Sequence, residues 1–138
     1  WSPLITTDSG LFNNKYMIIN HKTPRIIEQW ASSIKKRSPE LMTKFYCNES
    51  ILLATYDTLL IGKSEISKYF ISFLNKKNLR CTINRNYTQV IDNRSFVASG
   101  IYTFEFLDDE KNNKVEARYY FVVKDGIIIN HHSSEVPN

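Results

Sequence analysis

The spacing of apolar residues changes character once along this chain, near Asn78, and that change limits the fold more than any other feature. Before it, apolar residues recur every three to four positions, the spacing of one helical face. Ile26, Ile27, Trp30, Ala31 and Ile34 form one such stripe, and Ile66, Tyr69, Phe70, Phe73 and Leu74 form another. After it the pattern has period two. Arg80–Tyr87, Phe96–Leu107, Val115–Lys124 and Ile127–Ser134 read as four strands. Asp125-Gly126 reads as a tight hairpin turn, because both residues tolerate positive φ. The polar stretch Asp108–Asn113 fits a second hairpin loop. Helices followed by strands give an α+β domain, with N-terminal helices packed on one face of a curved antiparallel sheet.

Local signals set the boundaries. Thr23 is a good N-cap, and Pro24 suits a first helical position, where the missing N–H would be unpaired anyway. Lys35, Lys36 and Arg37 close that helix at the negative end of its dipole. Ser38-Pro39-Glu40 repeats the cap-then-proline signal, and a short helix with Leu41, Met42, Phe45 and Tyr46 is expected after it. Ile51–Thr55 is a strand-length apolar run, a loop ends at Gly62, and Ser64 can cap the third helix. Residues 1–22 read as an irregular arm, in which Tyr16–Ile19 can add a short strand; residues 23–138 read as one domain.

With 138 residues, 42% of them hydrophobic and 23% charged, the chain can bury a core of ordinary size. No apolar run approaches the roughly 18 residues that span a bilayer. The chain opens on Trp1 and not Met, which leaves room for a leader removed before it, so the compartment is open. Net charge is +4, but the basic residues are scattered at expected helix ends and loops, which argues against a nucleic-acid surface. Cys47 and Cys81 lack CxxC spacing; buried free thiols are the expected state, although spacing alone leaves a disulfide open.

The last strand carries the most distinctive chemistry. Three isoleucines, Ile127 to Ile129, run into Asn130-His131-His132-Ser133-Ser134. Side chains alternate across a strand, so His131 pairs with Ser133 on one face and His132 with Ser134 on the other. Adjacent histidines that point apart make a poor metal chelate, and the remaining histidine, His21, lies in the arm. A His–Ser pair on one face can position a water, hold a small anion or move a proton; it can equally bond backbone at a sheet end. No GxSxG elbow surrounds either serine. Weaker candidates are Thr55 at the end of the first strand, Tyr69 on the third helix, Asp57 in a loop, and Tyr102, Arg118 and Tyr120 in the long strands. Arg118 stands in apolar and aromatic surroundings, which suits a buried pair, an anion or an interface.

The stretches ILLATYDTLLIGKSEISKYFISFL, VASGIYTFEF, VEARYYFVV and NHHSSEVP occur in this order, and together they resemble the bacterial branch of the calcium/calmodulin-dependent protein kinase association-domain family. The resemblance covers residues 23–137 and implies the cone-shaped nuclear transport factor 2-like, or cystatin-like, fold. The same signature is similar to that of the iota-class carbonic anhydrases, which share the fold, commonly dimerise, and include members reported to work without metal. By that resemblance Thr55 of LLAT, Tyr69 of KYF, and one His–Ser pair of HHSS line the pocket. His131 with Ser133 is favoured, as continuing the wall of Ile127 and Ile129, and His132 with Ser134 stays open. Tyr102 and Arg118 are weaker pocket candidates. Two departures stand out: no tryptophan precedes the last strand, where Asp125-Gly126 sits, and Leu59-Leu60-Ile61-Gly62 is more apolar than the family pattern.

The resemblance implies reversible hydration of carbon dioxide to bicarbonate, metal-free by preference, with zinc or manganese left open. Its alternative is a non-catalytic domain that binds a small ligand or assembles. A third reading, a cyclase acting on a small apolar molecule, would need Asp57 or Glu105 as an acidic base. The expected partners are a small molecule and a second copy in a homodimer, with neither nucleic acid nor membrane.

Overall fold

The computed structural model describes residues 20–55 and 59–137. Helix α1 spans Arg25–Ser33 and runs into a 3-10 turn, Ile34–Lys36; helix α2 spans Pro39–Thr43. Strands β1 (Tyr46–Leu53) and β2 (Leu59–Ile61) precede helix α3 (Gly62–Phe73). Then come β3 (Lys77–Val90), β4 (Ser95–Asp108), β5 (Lys111–Lys124) and β6 (Ile127–Glu135). They form one sheet of order β2-β1-β6-β5-β4-β3. The α+β expectation holds, but the sheet is mixed: β1 lies parallel to β6, and the other pairings are antiparallel. Hairpins dictate antiparallel neighbours, whereas β1 and β6 are joined through α3 and four strands, and a long connection permits either direction.

Element ends follow the local chemistry with small shifts. Pro24, and not Thr23, takes the N-cap place of α1, and its carbonyl accepts from the N–H groups of Ile27 and Glu28. Ser38 caps α2 as expected, its hydroxyl accepting from the Leu41 N–H at 3.1 Å. Helix α3 starts at Gly62, two residues before the expected Ser64 cap, and the Glu65 carboxylate accepts from the Ile61 N–H at 2.8 Å. Tyr46 opens β1 and does not belong to α2. Asp125 and Gly126 both have positive φ, the turn that matches strand twist. The expected loop at Asp108–Asn113 contracts to Asp109-Glu110, also with positive φ at both residues, and the ladder continues through Asp108 paired with Lys111. The expected strand at Tyr16–Ile19 lies outside the described residues.

The helices cover one sheet face. Ile27, Trp30 and Ile34 of the first helical segment join Met42, Ile66, Phe70 and Leu74, and together they meet Ala98, Tyr102, Phe121, Val123 and Ile128 of the sheet. Each large apolar side chain so buried contributes roughly 1.5–3 kcal/mol. Gly100 lets β3 and β4 close up: a Cβ there would lie 1.9 Å from the Arg85 carbonyl oxygen. Cys47 and Cys81 are free, as expected, and burial raises the Cys81 thiol pKa. No helix among the described residues is long and apolar enough to cross a membrane.

Candidate functional site

The parity of β6 decides which His–Ser pair enters the fold, and a β-bulge decides the parity. Val123 of β5 pairs with Ile128, but Val122 pairs with Asn130, so Ile129 is an extra residue. The bulge is pinned from β1: the Ile128 N–H donates to the Phe45 carbonyl at 2.9 Å. The Ile128 carbonyl accepts from the buried Ser50 hydroxyl at 2.7 Å. Consequently Ile128 and His131 both point inward, at 0% and 2% exposure. Without the bulge Ile128 would share its face with His132 and Ser134. The favoured pair, His131 with Ser133, is therefore the inner one, but its wall is Ile128 and not Ile127 with Ile129, which are only half-buried.

His131 sits among aromatic rings. It stacks on Phe121 with ring centroids 4.0 Å apart and meets Trp30 edge-on at 5.2 Å. Burial holds its pKa down to about 3, so the imidazole is neutral, with a smaller push from neighbouring His132. Both ring nitrogens are engaged: Nδ1 lies 2.9 Å from the Tyr46 hydroxyl, and Nε2 lies 3.1 Å from the Tyr102 hydroxyl. The Trp30 indole N–H donates to Tyr46 at 3.0 Å, and Tyr102 donates to Ser133 Oγ at 2.7 Å. Ser133 Oγ and Thr55 Oγ1 are 3.2 Å apart. Burial raises the pKa of both Tyr46 and Tyr102, so both phenols stay protonated.

This chain of bonds has one consistent direction. Tyr102 has a single proton and gives it to Ser133, so its bond to His131 must be donated by Nε2–H. A neutral imidazole carries one N–H, which leaves Nδ1 bare to accept from Tyr46. Tyr46 in turn accepts from Trp30, whose indole can only donate. Six side chains thus form a relay running from Trp30 to the Ser133–Thr55 pair.

The relay ends at a cavity of about 250 Å³ between α3 and the sheet. Thr55, Tyr69, Ser72, Tyr102, His131 and Ser133 supply polar lining, and the remaining wall is largely apolar, with Phe70, Phe73, Phe104 and Phe106 prominent. Tyr69 stacks on Phe73 at 5.5 Å. The Lys76 ammonium also borders the cavity and rests over the Phe106 ring at 5.0 Å.

The structure brings Thr55, Tyr69, Tyr102, His131 and Ser133 together. It does not bring Arg118, His132 and Ser134 to the cavity. They are exposed on the opposite sheet face, where Arg118 pairs with Ser134 and Tyr120 with His132. Strand alternation sends them there, and the apolar neighbours of Arg118 in sequence are residues of the inner face. Glu105 is bound to Arg80 at 3.0 Å and does not line the cavity, and Asp57 lies outside the described residues. His21 packs edge-on against Tyr87. No three His, Cys, Asp or Glu side chains gather as a metal site among the described residues. Sequence reasoning missed Trp30, Tyr46 and Ser50 as parts of the site. The available signal was that a buried indole or phenol needs a partner for its polar end.

Residues 20–137 match the family model of the calcium/calmodulin dependent protein kinase II association domain. The chain belongs to that family. A crystal structure ascribed to such a domain from Xanthomonas campestris is 33% identical to this association domain, covers 82% of this chain and 84% of its own, and superposes with a TM-score of 0.75. A nuclear transport factor 2-like protein from Salmonella enterica, 16% identical over 82% of this chain and 87% of its own, has a TM-score of 0.68. A protein of ketosteroid isomerase-like fold from Catenulispora acidiphila, in complex with trimethylamine, is 14% identical over 81% and 85%, with a TM-score of 0.65. The last two carry the fold alone. A comparison with curated proteins finds no match.

Proposed function

We propose that this association domain is non-catalytic: it holds a small molecule in its cavity and pairs with a second copy through the outer face of its sheet. The observation that carries this reading is the state of His131. An acid or base needs a nitrogen free to face the reactant and a pKa near the working pH. His131 has both nitrogens bonded to tyrosines and a pKa of about 3. No carboxylate takes that part among the described lining residues. The Catenulispora neighbour, solved in complex with trimethylamine, supports a small-ligand reading for this fold. On the outer face Tyr120 is 40% exposed, beside Glu116 and Arg118 of the same strand and half-buried Ile101 and Val122. Aromatic and arginine side chains of this kind favour interfaces, and opposite charges on one patch suit a two-fold contact. Analytical ultracentrifugation should find a dimer that Tyr120→Glu converts to monomer. A monomeric wild type removes the assembly half of the proposal.

A second reading, metal-free hydration of carbon dioxide, is favoured by one observation: Thr55, Tyr69, His131 and Ser133 line the same cavity. Their hydroxyls would hold water and the bicarbonate oxygens, and His131 would act only through Tyr102, as a positioning residue. Preorganised donors alone would have to lower the barrier. Stopped-flow hydration on chelator-treated protein separates the readings. No activity upholds the non-catalytic one; activity abolished in Thr55→Ala and Ser133→Ala overturns it in favour of the anhydrase.

A further inference from the structure

We propose that the cavity selects an uncharged, ring-sized apolar molecule that carries one hydrogen-bond-accepting oxygen, such as an aryl ketone. This rests on the ligand-binding reading of the cavity and names the chemistry of what it takes.

Ser133 and Thr55 own two hydroxyl protons, and Ser133 already accepts a third from Tyr102. Only one proton fits between Ser133 Oγ and Thr55 Oγ1. One is left over. Neither hydroxyl has a further partner among the described residues, and both line the cavity. Run backwards, the relay would have Tyr46 accept from both Trp30 and His131 and leave its own buried proton without an acceptor, so the spare group at the far end stays a donor. The cavity therefore offers its occupant a donor, whichever of the two hydroxyls carries the free proton.

Charge and volume narrow the class. Among the described residues no cation is bonded to Ser133 or Thr55: His131 is neutral, and the ammonium of Lys76, at the cavity wall, rests over Phe106. Burying an unpaired charge is costly, whereas a neutral carbonyl needs only the one donor. The rest of the wall is aromatic, with Phe70, Phe73 and Phe104 facing the space. A cavity of about 150 Å³ suffices for benzene, so 250 Å³ accommodates a ring with a short substituent.

Three probes of nearly one shape test this on the intact wild-type domain: acetophenone, cumene and benzoate. Binding is followed by calorimetry and by shifts of backbone amides around the cavity. Acetophenone should bind about five- to tenfold more tightly than cumene, the difference expected of one hydrogen bond. Benzoate should bind more weakly than acetophenone. In a folded Thr55→Val/Ser133→Ala double variant the gap between acetophenone and cumene should close. Cumene binding as well as acetophenone, a gap that survives the double variant, or benzoate binding tightest would overturn the inference while leaving a ligand site in place. If none of the three perturbs the cavity, the inference and the ligand-binding reading fall together.

Discussion

Strand β6 presents the same two residue types twice, and the two copies have opposite fates. His131 and Ser133 face inward, into a relay of aromatic hydroxyls and a cavity. His132 and Ser134, one residue along, are exposed on the outer face. Nothing in the composition of the pairs separates them. What separates them is the bulge at Ile129, which resets the alternation after Ile128, and the Ser50 and Phe45 contacts that hold it. A single extra residue thus selects which histidine becomes part of the interior.

Inserting an alanine between Ile129 and Asn130 attacks the comparison at its source. With Ile128 still pinned, it turns over every residue that follows and directs His132 and Ser134 inward in place of the relay pair. The expected loss is comparable to the whole stability of such a domain, about 5 kcal/mol or more; a cooperative urea transition near the wild-type midpoint would break the account. Next in size is the contrast between single histidine variants. His131→Ala empties a buried ring site and strands Tyr46 and Tyr102, and should cost about 4 kcal/mol. His132→Ala, on the exposed face, should stay within about 0.5 kcal/mol. Equal losses in the two variants would erase the distinction.

Acid probes the inner histidine without mutation. Its folded pKa, about 3, lies below the ordinary value near 6.5, so the unfolded chain binds the proton more readily. The neutral ring's contribution to stability is fully present above about pH 6.5 and is lost as pH falls towards 3. Melting temperature should drop through that window, and the part due to this residue should vanish in His131→Phe. A drop of the same size in His131→Phe would assign it to other groups. A smaller loss than that of His131→Ala is expected of Ser50→Ala, which leaves the Ile128 carbonyl without its donor and should cost about 2 kcal/mol. Denaturant titration checks this. A neutral result would mean that the bulge holds without Ser50.

The α+β class was legible in the change of spacing near Asn78, and the last hairpin in Asp125-Gly126, because both signals are local. The parallel pairing of β1 with β6 was not, since no local residue reports on a partner some eighty positions away. The bulge was hidden for a different reason. Ile127, Ile128 and Ile129 are alike, so the stretch where parity changes carries no alternation to read. His131 and Ser133 were legible as one of two alternating His–Ser pairs, and Thr55, Tyr69 and Tyr102 as weaker candidates; the family resemblance joined Thr55, Tyr69 and one His–Ser pair into a single pocket. Tyr46 was missed because the helical pattern of Leu41, Met42 and Phe45 seemed to continue through it, and Trp30 because it fits a core stripe equally well.

The relay's direction is the centre of this account, and the 15N shifts of the His131 imidazole measure it directly. Long-range proton–nitrogen NMR spectra at pH 5 should show a neutral ring with Nε2 protonated and Nδ1 bare. A ring protonated on Nδ1 alone, or an imidazolium at that pH, would contradict it.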